Sequence, residues 1–368
     1  MRVLMQSRIS LFTVPGGDTV QICKTAEALQ QRGVTCKIST ELQPDLSGWD
    51  IVHLFNLTRP QEVYMQARNA QKQGKPIALS TIYLSSSDYD GYARAGAFGV
   101  VSRILPNNIL EYLKVIARGV VNREWHAGSW ALLKHGHHQL QNEVMRMTSV
   151  SLPNSHSEWK RVLRDFPQAK SARYVVVPNA VDENMFDSRA EYAEMDDNKR
   201  RTTVLCVANI SPRKNQLRLI RALNGSDLPL VIAGLPTPNA RGYYEQIKRE
   251  AGPNVHFAGH VKQDDLEPYY RDAKVHVLAS WMETTGLSSL EAGINGCNLV
   301  ITDEGDTKEY FDDMAYYCDP GSETSIREAV LKAYAAPANN TLRHKIKTEY
   351  NWGKTAEATL LAYLQIIQ

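Results

Sequence analysis

The chain has few cysteines, almost no net charge, no low-complexity tract and no long apolar run, and each shortage removes a class of protein. Its five cysteines among 368 residues, Cys23, Cys36, Cys206, Cys297 and Cys318, are odd in number and widely scattered. No CxxC pair occurs, so neither a disulfide framework nor a zinc site is expected, and the thiols read as reduced core residues of a cytoplasmic protein. The 42 basic and 40 acidic residues leave a net charge of +2, which makes no global case for nucleic acid or for an acidic partner. No stretch reaches the ~18 uncharged apolar residues that cross a bilayer. The opening MRVLMQSRIS does not read as a signal peptide.

What is present is an alternation of strand and helix signals. With 43% hydrophobic residues and a rough rule of ~150 residues per domain, the length fits two domains. In the first half, strands are expected at 3–6, 34–39, 50–55 and 77–82. Asp18 is the expected N-cap of a helix ending before Gly33, and a second helix should run from Pro60 to about Gln73. Residues 149–154 and 174–177 read as further strands on either side of a helix at 156–165. The charged stretch 187–201 reads as a linker. In the second half, strands are expected at 203–207, 228–233, 255–257, 273–279 and 299–302. Helices should cover about 215–223, 242–250, 323–334, 342–347 and 352–366. This alternation argues for parallel sheets covered on both faces, the two halves repeating one doubly wound plan.

The most informative stretch is SWMETTGLSSLEAGINGCNL, residues 280–299, which lies between two of these strands. Thr284 or Thr285 can cap a helix that opens near Gly286 and places Leu287, Leu290 and Ile294 on one face. The free N–H groups of its first turn, together with the helix dipole, suit a phosphate. Two carboxylates, Glu283 and Glu291, flank that turn and would by themselves repel an anion. A ligand with hydroxyls on both sides of its phosphates resolves the conflict: Glu291 would accept from a ribose diol and Glu283 from the hydroxyls of a sugar. A nucleotide sugar has that layout. Near the start, Gly16 and Gly17 sit in the first βα turn, where the missing Cβ lets backbone approach a ligand closely.

The spacing Glu283, seven residues, Glu291, with GLSSLEA inside it, resembles the signature of retaining glycosyltransferases of family four. GGDTVQICKTAEALQQRGV, VPNAVDENMF, VANISPRKNQ and NWGKTAEATLLAYL resemble other segments of that family, in its order. The resemblance implies an α/β GT-B fold: two doubly wound Rossmann-like domains facing a cleft. An acceptor-side domain would cover 1–180, a nucleotide-sugar domain 181–350, and a final helix at 351–368 would return to the first. The implied reaction moves a hexose-type sugar, with retention and without a metal or other cofactor, from a nucleotide diphosphate sugar to a glycan or lipid-linked acceptor of cell-surface polysaccharide synthesis.

Residue by residue, the resemblance places the Gly16 and Gly17 loop on the donor phosphates and Lys214, with Arg213 beside it, on the leaving diphosphate. Val261 falls in the turn 259–262 that borders the nucleobase. Thr285, Gly286 and Leu287 meet the donor at the helix start, Glu291 holds the ribose, and Glu283 is the catalytic residue that orients the sugar. Two donor-side and acceptor-side positions depart from the family. Asn209 stands where many members have Arg, and Ile82 or Tyr83 stands near the usual acceptor-side His; His53, nearest in sequence, reads as buried and structural.

Two other classes stay open. A GT-B nucleotide-sugar epimerase would share the nucleotide site, and a non-catalytic nucleotide-sugar-binding module would keep the fold without the transfer. Within 88–148, seven basic residues stand against three acidic ones between Arg94 and Arg146, interleaved with Phe98, Leu110, Trp125 and Trp130. Such a mixture can lie on an anionic membrane surface, which would hold the protein peripherally on the inner face of the membrane.

Overall fold

The computed structural model describes residues 1–85, 125, 127–182 and 201–367, and these form two units. The first comprises 1–85, 127–179 and 352–367, the second 180–182 and 201–351. Most of the expected linker and of the basic, apolar stretch lies outside the described residues.

In the first unit, β1 (Arg2–Gln6), β2 (Thr35–Ser39), β3 (Ile51–Phe55), β4 (Ile77–Ser80) and β5 (Val150–Ser151) form a parallel sheet in the order β2-β1-β3-β4-β5. Every residue of β3 and β4 is buried, as expected for strands covered on both faces. Each fully buried Leu, Ile or Val there contributes roughly 1.5–3 kcal/mol. Because the chain passes from β1 outward to β2 and then crosses back to β3, the strand order reverses between β1 and β3.

Helix α1 (Gly17–Gln30) starts two residues earlier than its sequence suggests, with Gly16 and not Asp18 as N-cap. Thr19 Oγ1 accepts from the Gly16 N–H at 3.1 Å, while the Asp18 carboxylate is turned to buried Arg8, which donates from Nε at 2.6 Å and Nη2 at 3.0 Å. The ion pair outcompetes the cap. Helix α2 (Pro60–Lys72) opens on Pro60. Helices α3 (Ala127–His135) and α4 (His137–Met147) are separated by Gly136, whose φ of 87 a side chain would resist.

Some strand expectations need correction, and the strand expected at 149–154 shortens to Val150–Ser151. β4 ends at Ser80, not at 82, because Ile82 has φ 42, a left-handed backbone that breaks a ladder and strains a β-branched residue. The turn is held by buried Glu158 on α5 (His156–Asp165): Oε1 accepts from the Thr81 hydroxyl and from the Tyr83 N–H at 2.7 Å. Residues 174–177 form no strand. They run beside β5 with one bridge at Tyr174, the Val175 N–H donating to Ser151 at 3.0 Å and the Val177 N–H to Pro153 at 2.8 Å.

In the second unit, β6 (Thr203–Val207), β7 (Leu230–Ala233), β8 (Val255–Gly259), β9 (Ala273–Leu278), β10 (Asn298–Thr302) and β11 (Tyr316–Cys318) form a parallel sheet. Its order is β11-β10-β9-β6-β7-β8, so the reversal falls between β6 and β9. The connecting helices are α6 (Gln216–Leu223), α7 (Arg241–Glu250), α8 (Glu267–Asp272), α9 (Leu287–Ile294), α10 (Thr307–Phe311), α11 (Glu323–Ala335) and α12 (Asn340–Glu349). α6 begins after a 3-10 turn, Pro212–Lys214, and a left-handed Asn215 with φ 59. Arg213 and Lys214 therefore precede the helix, at the positive end of its dipole. Val275, Val277 and Ala279 pack into the core on one side of the sheet, Leu278 into the core on the other.

The last helix, α13 (Trp352–Leu364), belongs to the first unit. Its buried Tyr363 hydroxyl meets His53 Nδ1 at 2.7 Å, and Ser80 Oγ meets His53 Nε2 at 2.9 Å. Burial pushes the imidazole down to about 3, so His53 is a neutral strut between two strands and a helix. All five cysteines are free and four are buried. Among the described residues no helix is long and apolar enough to cross a membrane.

Replacing Tyr363 by Phe strips one ring nitrogen of His53 of its partner inside the core. The expected loss is about 1–3 kcal/mol, read from urea unfolding; an unchanged midpoint would show that the bond adds no net stability.

Candidate active site

The carboxyl ends of β6 and β9 are neighbours, and the loops that leave them run apart, one toward β7 and one toward β10. Open α/β sheets bind ligands at such a reversal. Loop 208–215 follows β6 and carries Asn209, Arg213 and Lys214; loop 279–286 follows β9 and carries Glu283, Thr285 and Gly286. Residues 69 apart in sequence meet there: Lys214 Nζ lies 2.5 Å from Glu283 Oε1.

Main-chain contacts fix both loops. Left-handed Asn215 donates from Nδ2 to the carbonyls of Ala279 at 3.0 Å and Pro320 at 2.8 Å. The Trp281 N–H donates to the Arg213 carbonyl at 3.0 Å, and Arg213 Nη1 returns a bond to the Met282 carbonyl at 3.2 Å. Glu283 itself is pinned by the turn after β10, its N–H donating to Glu304 at 3.1 Å and its carbonyl accepting from the Asp306 N–H at 2.9 Å. At Gly305 (φ 107) a Cβ would lie 1.9 Å from the Glu283 carbonyl oxygen, so this turn admits only glycine.

Glu283 is 4% exposed. Burial alone would raise its carboxyl, but the Lys214 ammonium and the Arg213 guanidinium outweigh burial and hold it below the ordinary carboxylate value. Lys214 is pulled below its ordinary value by burial, against the opposing pull of Glu283. The pair can part for a ligand that offers anionic oxygens to the ammonium and hydroxyls to the carboxylate.

Helix α9 is capped by Gly286 at φ 74, not by Thr284 or Thr285. A Cβ at this left-handed cap would crowd Ser289 Oγ at 3.2 Å and Leu278 at 3.3 Å, and Thr285 is buried beside it. The first N–H groups of α9 thus begin at Leu287, directly after the Glu283 loop. One turn on, Glu291 is 7% exposed. It is already hydrogen-bonded, Oε2 accepting from the Tyr270 hydroxyl at 2.6 Å and Oε1 from Gln263 Nε2 at 2.5 Å. Burial pushes its carboxyl up to about 7, against both bonds.

The sequence reading missed Tyr270 and Gln263. The signal was the EPYYRD segment before β9, whose short charged helix has no long apolar stripe. Val261 is half-buried in the loop after β8, and Asn209 is exposed, its carbonyl accepting from Gln216 Nε2 at 3.1 Å. Gly16 and Gly17 are in the first unit, at its own reversal, where Asn56 Nδ2 also donates to Asp18 at 3.4 Å. Among the described residues no group of three or more His, Cys, Asp or Glu side chains could hold a metal ion.

The pattern of the family Glycosyl transferases group 1 matches residues 187–352. This stretch is a group 1 glycosyltransferase domain. It contains Arg213, Lys214, Glu283 and Glu291, with the loops that bring them together. An uncharacterised glycosyltransferase of Methanocaldococcus jannaschii is 27% identical over 202 residues, 49% of this chain and 48% of that relative. The match thus spans about half the length of the curated relative. Sucrose-phosphate synthase of Thermosynechococcus elongatus superposes with a TM-score of 0.71 at 14% identity over 99% of each chain. Anabaena HepE, in complex with UDP and glucose, does so with 0.58 at 15% identity over 100% of this chain and 95% of its own. These likenesses show the fold, two parallel-sheet α/β units as in GT-B glycosyltransferases.

Two stability measurements probe the glycosyltransferase domain. Glu291 holds its proton more tightly folded than unfolded, so the stability it adds is whole below its ordinary 4.5 and is lost as pH rises through about 7. Between about pH 5 and pH 8 the wild type should lose up to about 3 kcal/mol more than Glu291→Gln; parallel urea-unfolding profiles would contradict this. Lys214→Met or Glu283→Gln alone, each leaving a buried charge bare, should cost about 3–5 kcal/mol. The double variant should cost far less than the sum, and additivity in that cycle would mean the two charges do not depend on each other.

Proposed function

We propose that the protein is a retaining, metal-independent glycosyltransferase that moves a hexose-type sugar from a nucleoside diphosphate sugar to a glycan or lipid-linked acceptor in cell-surface polysaccharide synthesis. The observation that carries this reading is the buried Lys214–Glu283 pair at the strand-order reversal of a group 1 domain. So read, the pair offers one cation to a leaving diphosphate and one carboxylate to a sugar. In this reading Lys214 exchanges Glu283 for phosphate oxygens, joined by Arg213 and the first N–H groups of α9. The charge that grows on the leaving phosphate then meets groups already in place. Glu283, released, accepts from sugar hydroxyls and orients the ring.

The bond from the anomeric carbon to the diphosphate oxygen breaks, and the acceptor hydroxyl oxygen bonds that carbon on the same face. Its proton passes to the leaving phosphate oxygen. Glu291 takes the ribose diol. The UDP-glucose complex of Anabaena HepE supports a uridine diphosphate sugar as the first donor to try. The basic and apolar composition of 88–148 fits an anionic membrane surface, on whose cytoplasmic face a lipid-linked acceptor would be met.

Transfer of radiolabelled sugar from a panel of nucleoside diphosphate sugars to a glycan and lipid extract tests the proposal. Glu283→Ala should mainly lower kcat and Glu291→Ala mainly weaken nucleotide binding. Lys214→Ala should cost more than Arg213→Ala, the loss of one charge-assisted contact to phosphate being worth about 1.5–3 kcal/mol. Epimerised donor in the absence of acceptor would favour an epimerase, and nucleotide binding without transfer to any acceptor a non-catalytic module.

A further inference from the structure

Both oxygens of Glu291 are engaged, and the two donors differ in how firmly they are held. Tyr270 is fully buried on α8, packed among Leu266, Leu290 and Ile294. Its own carbonyl accepts from the Cys297 thiol at 3.1 Å. Its hydroxyl cannot leave Glu291 without opening that core. Gln263 sits in a 3-10 turn, Gln263–Asp265, in which no residue is buried. Its side chain can swing into water at little cost, and a hydroxyl can replace its amide donor at the same carboxylate oxygen.

Resting on the donor-site reading above, we propose that Tyr270 is the positioning residue for ribose recognition, and that the Gln263 amide holds the place of a ribose hydroxyl until a nucleotide displaces it. Tyr270 holds Oε2 from the core and so fixes the plane of the carboxylate, and Oε1, whose donor lies in a turn without buried residues, is the oxygen that exchanges partners. Trading Gln263 for a ribose hydroxyl conserves one hydrogen bond at Oε1 and returns an amide to solvent. Losing Tyr270 instead leaves a buried oxygen bare and the carboxylate free to turn. The ligand class that follows is a ribonucleoside diphosphate, discriminated from its deoxyribose counterpart by this one carboxylate.

Isothermal titration of the full chain with UDP, GDP and ADP, each beside its 2′-deoxy and 3′-deoxy forms, tests the proposal. The wild type should bind its preferred ribonucleotide on the order of tenfold more tightly than at least one deoxy form, the worth of one hydrogen bond to a charged group. Tyr270→Phe should bring the ribo and deoxy affinities together. A merely structural loss would weaken all forms alike and leave their ratio as in the wild type, which would overturn the proposal. Gln263→Ala, in an exposed turn, should keep the preference and bind the ribo form at least as tightly; loss of the preference there would overturn it even if Tyr270→Phe did not fold. Equal affinity of the wild type for ribo and deoxy forms would refute the proposal and leave the donor reading standing. Binding of none of the nucleotides would instead refute the donor reading.

Discussion

The second unit depends on keeping two opposite charges out of water at one place. A lone ammonium or carboxylate at the depth of Lys214 or Glu283 would cost several kcal/mol, and their 2.5 Å contact, aided at Glu283 by Arg213, offsets that cost. The contact requires β6 and β9 to be neighbours and both of their loops to hold shape. Asn215, Gly286 and Gly305 supply that shape through backbone conformations that most residues avoid. The second sheet is therefore a frame whose strand order sets the position of one ion pair. A site whose charges are placed before the ligand arrives needs little rearrangement when charge develops on a leaving group.

The two glutamates of the central stretch lie eight positions apart and live in different electrostatic surroundings. Two cations hold the Glu283 carboxyl down, whereas Glu291 meets only neutral donors and is pushed up to about 7 by burial. Environment separates the two carboxyl groups, as it does wherever one fold must keep two acids in different protonation states. One is a fixed anion. The other sits near its midpoint at neutral pH and takes part through hydrogen bonds as much as through charge.

The parallel α/β plan was legible because buried strands such as those at 51–55 and 298–302 are nearly continuous apolar runs, and because helices such as α5 carry their caps in sequence. Caps that rest on backbone conformation were not legible. Asp18 and Thr285 have the right side chains, yet Gly16 and Gly286 hold the cap positions, since an ion pair claims Asp18 and a left-handed turn excludes Thr285. The short α8, α10 and β11 carry too few residues for any period to show. At the site, Lys214 and Glu283 could each be picked out, but their pairing depends on strand order, which no local pattern encodes. Tyr270 and Gln263 escaped notice for the same reason: their importance comes from Glu291, 21 and 28 positions away.

The turn at Gly305 joins Glu283 through main-chain atoms alone, while the side chains of Asp303 and Glu304 face outward. This divides the turn between two regimes of inheritance. The glycine is closed to substitution by geometry, because any side chain would strike the carbonyl beneath it. The main-chain bonds that hold Glu283 do not involve the side chains of Asp303, which pairs with Lys308 at 3.0 Å, or Glu304. Descendants of this sequence can thus change what surrounds the site while inheriting the placement of Glu283 intact, so new surface contacts can be acquired on this edge without rebuilding the loop below.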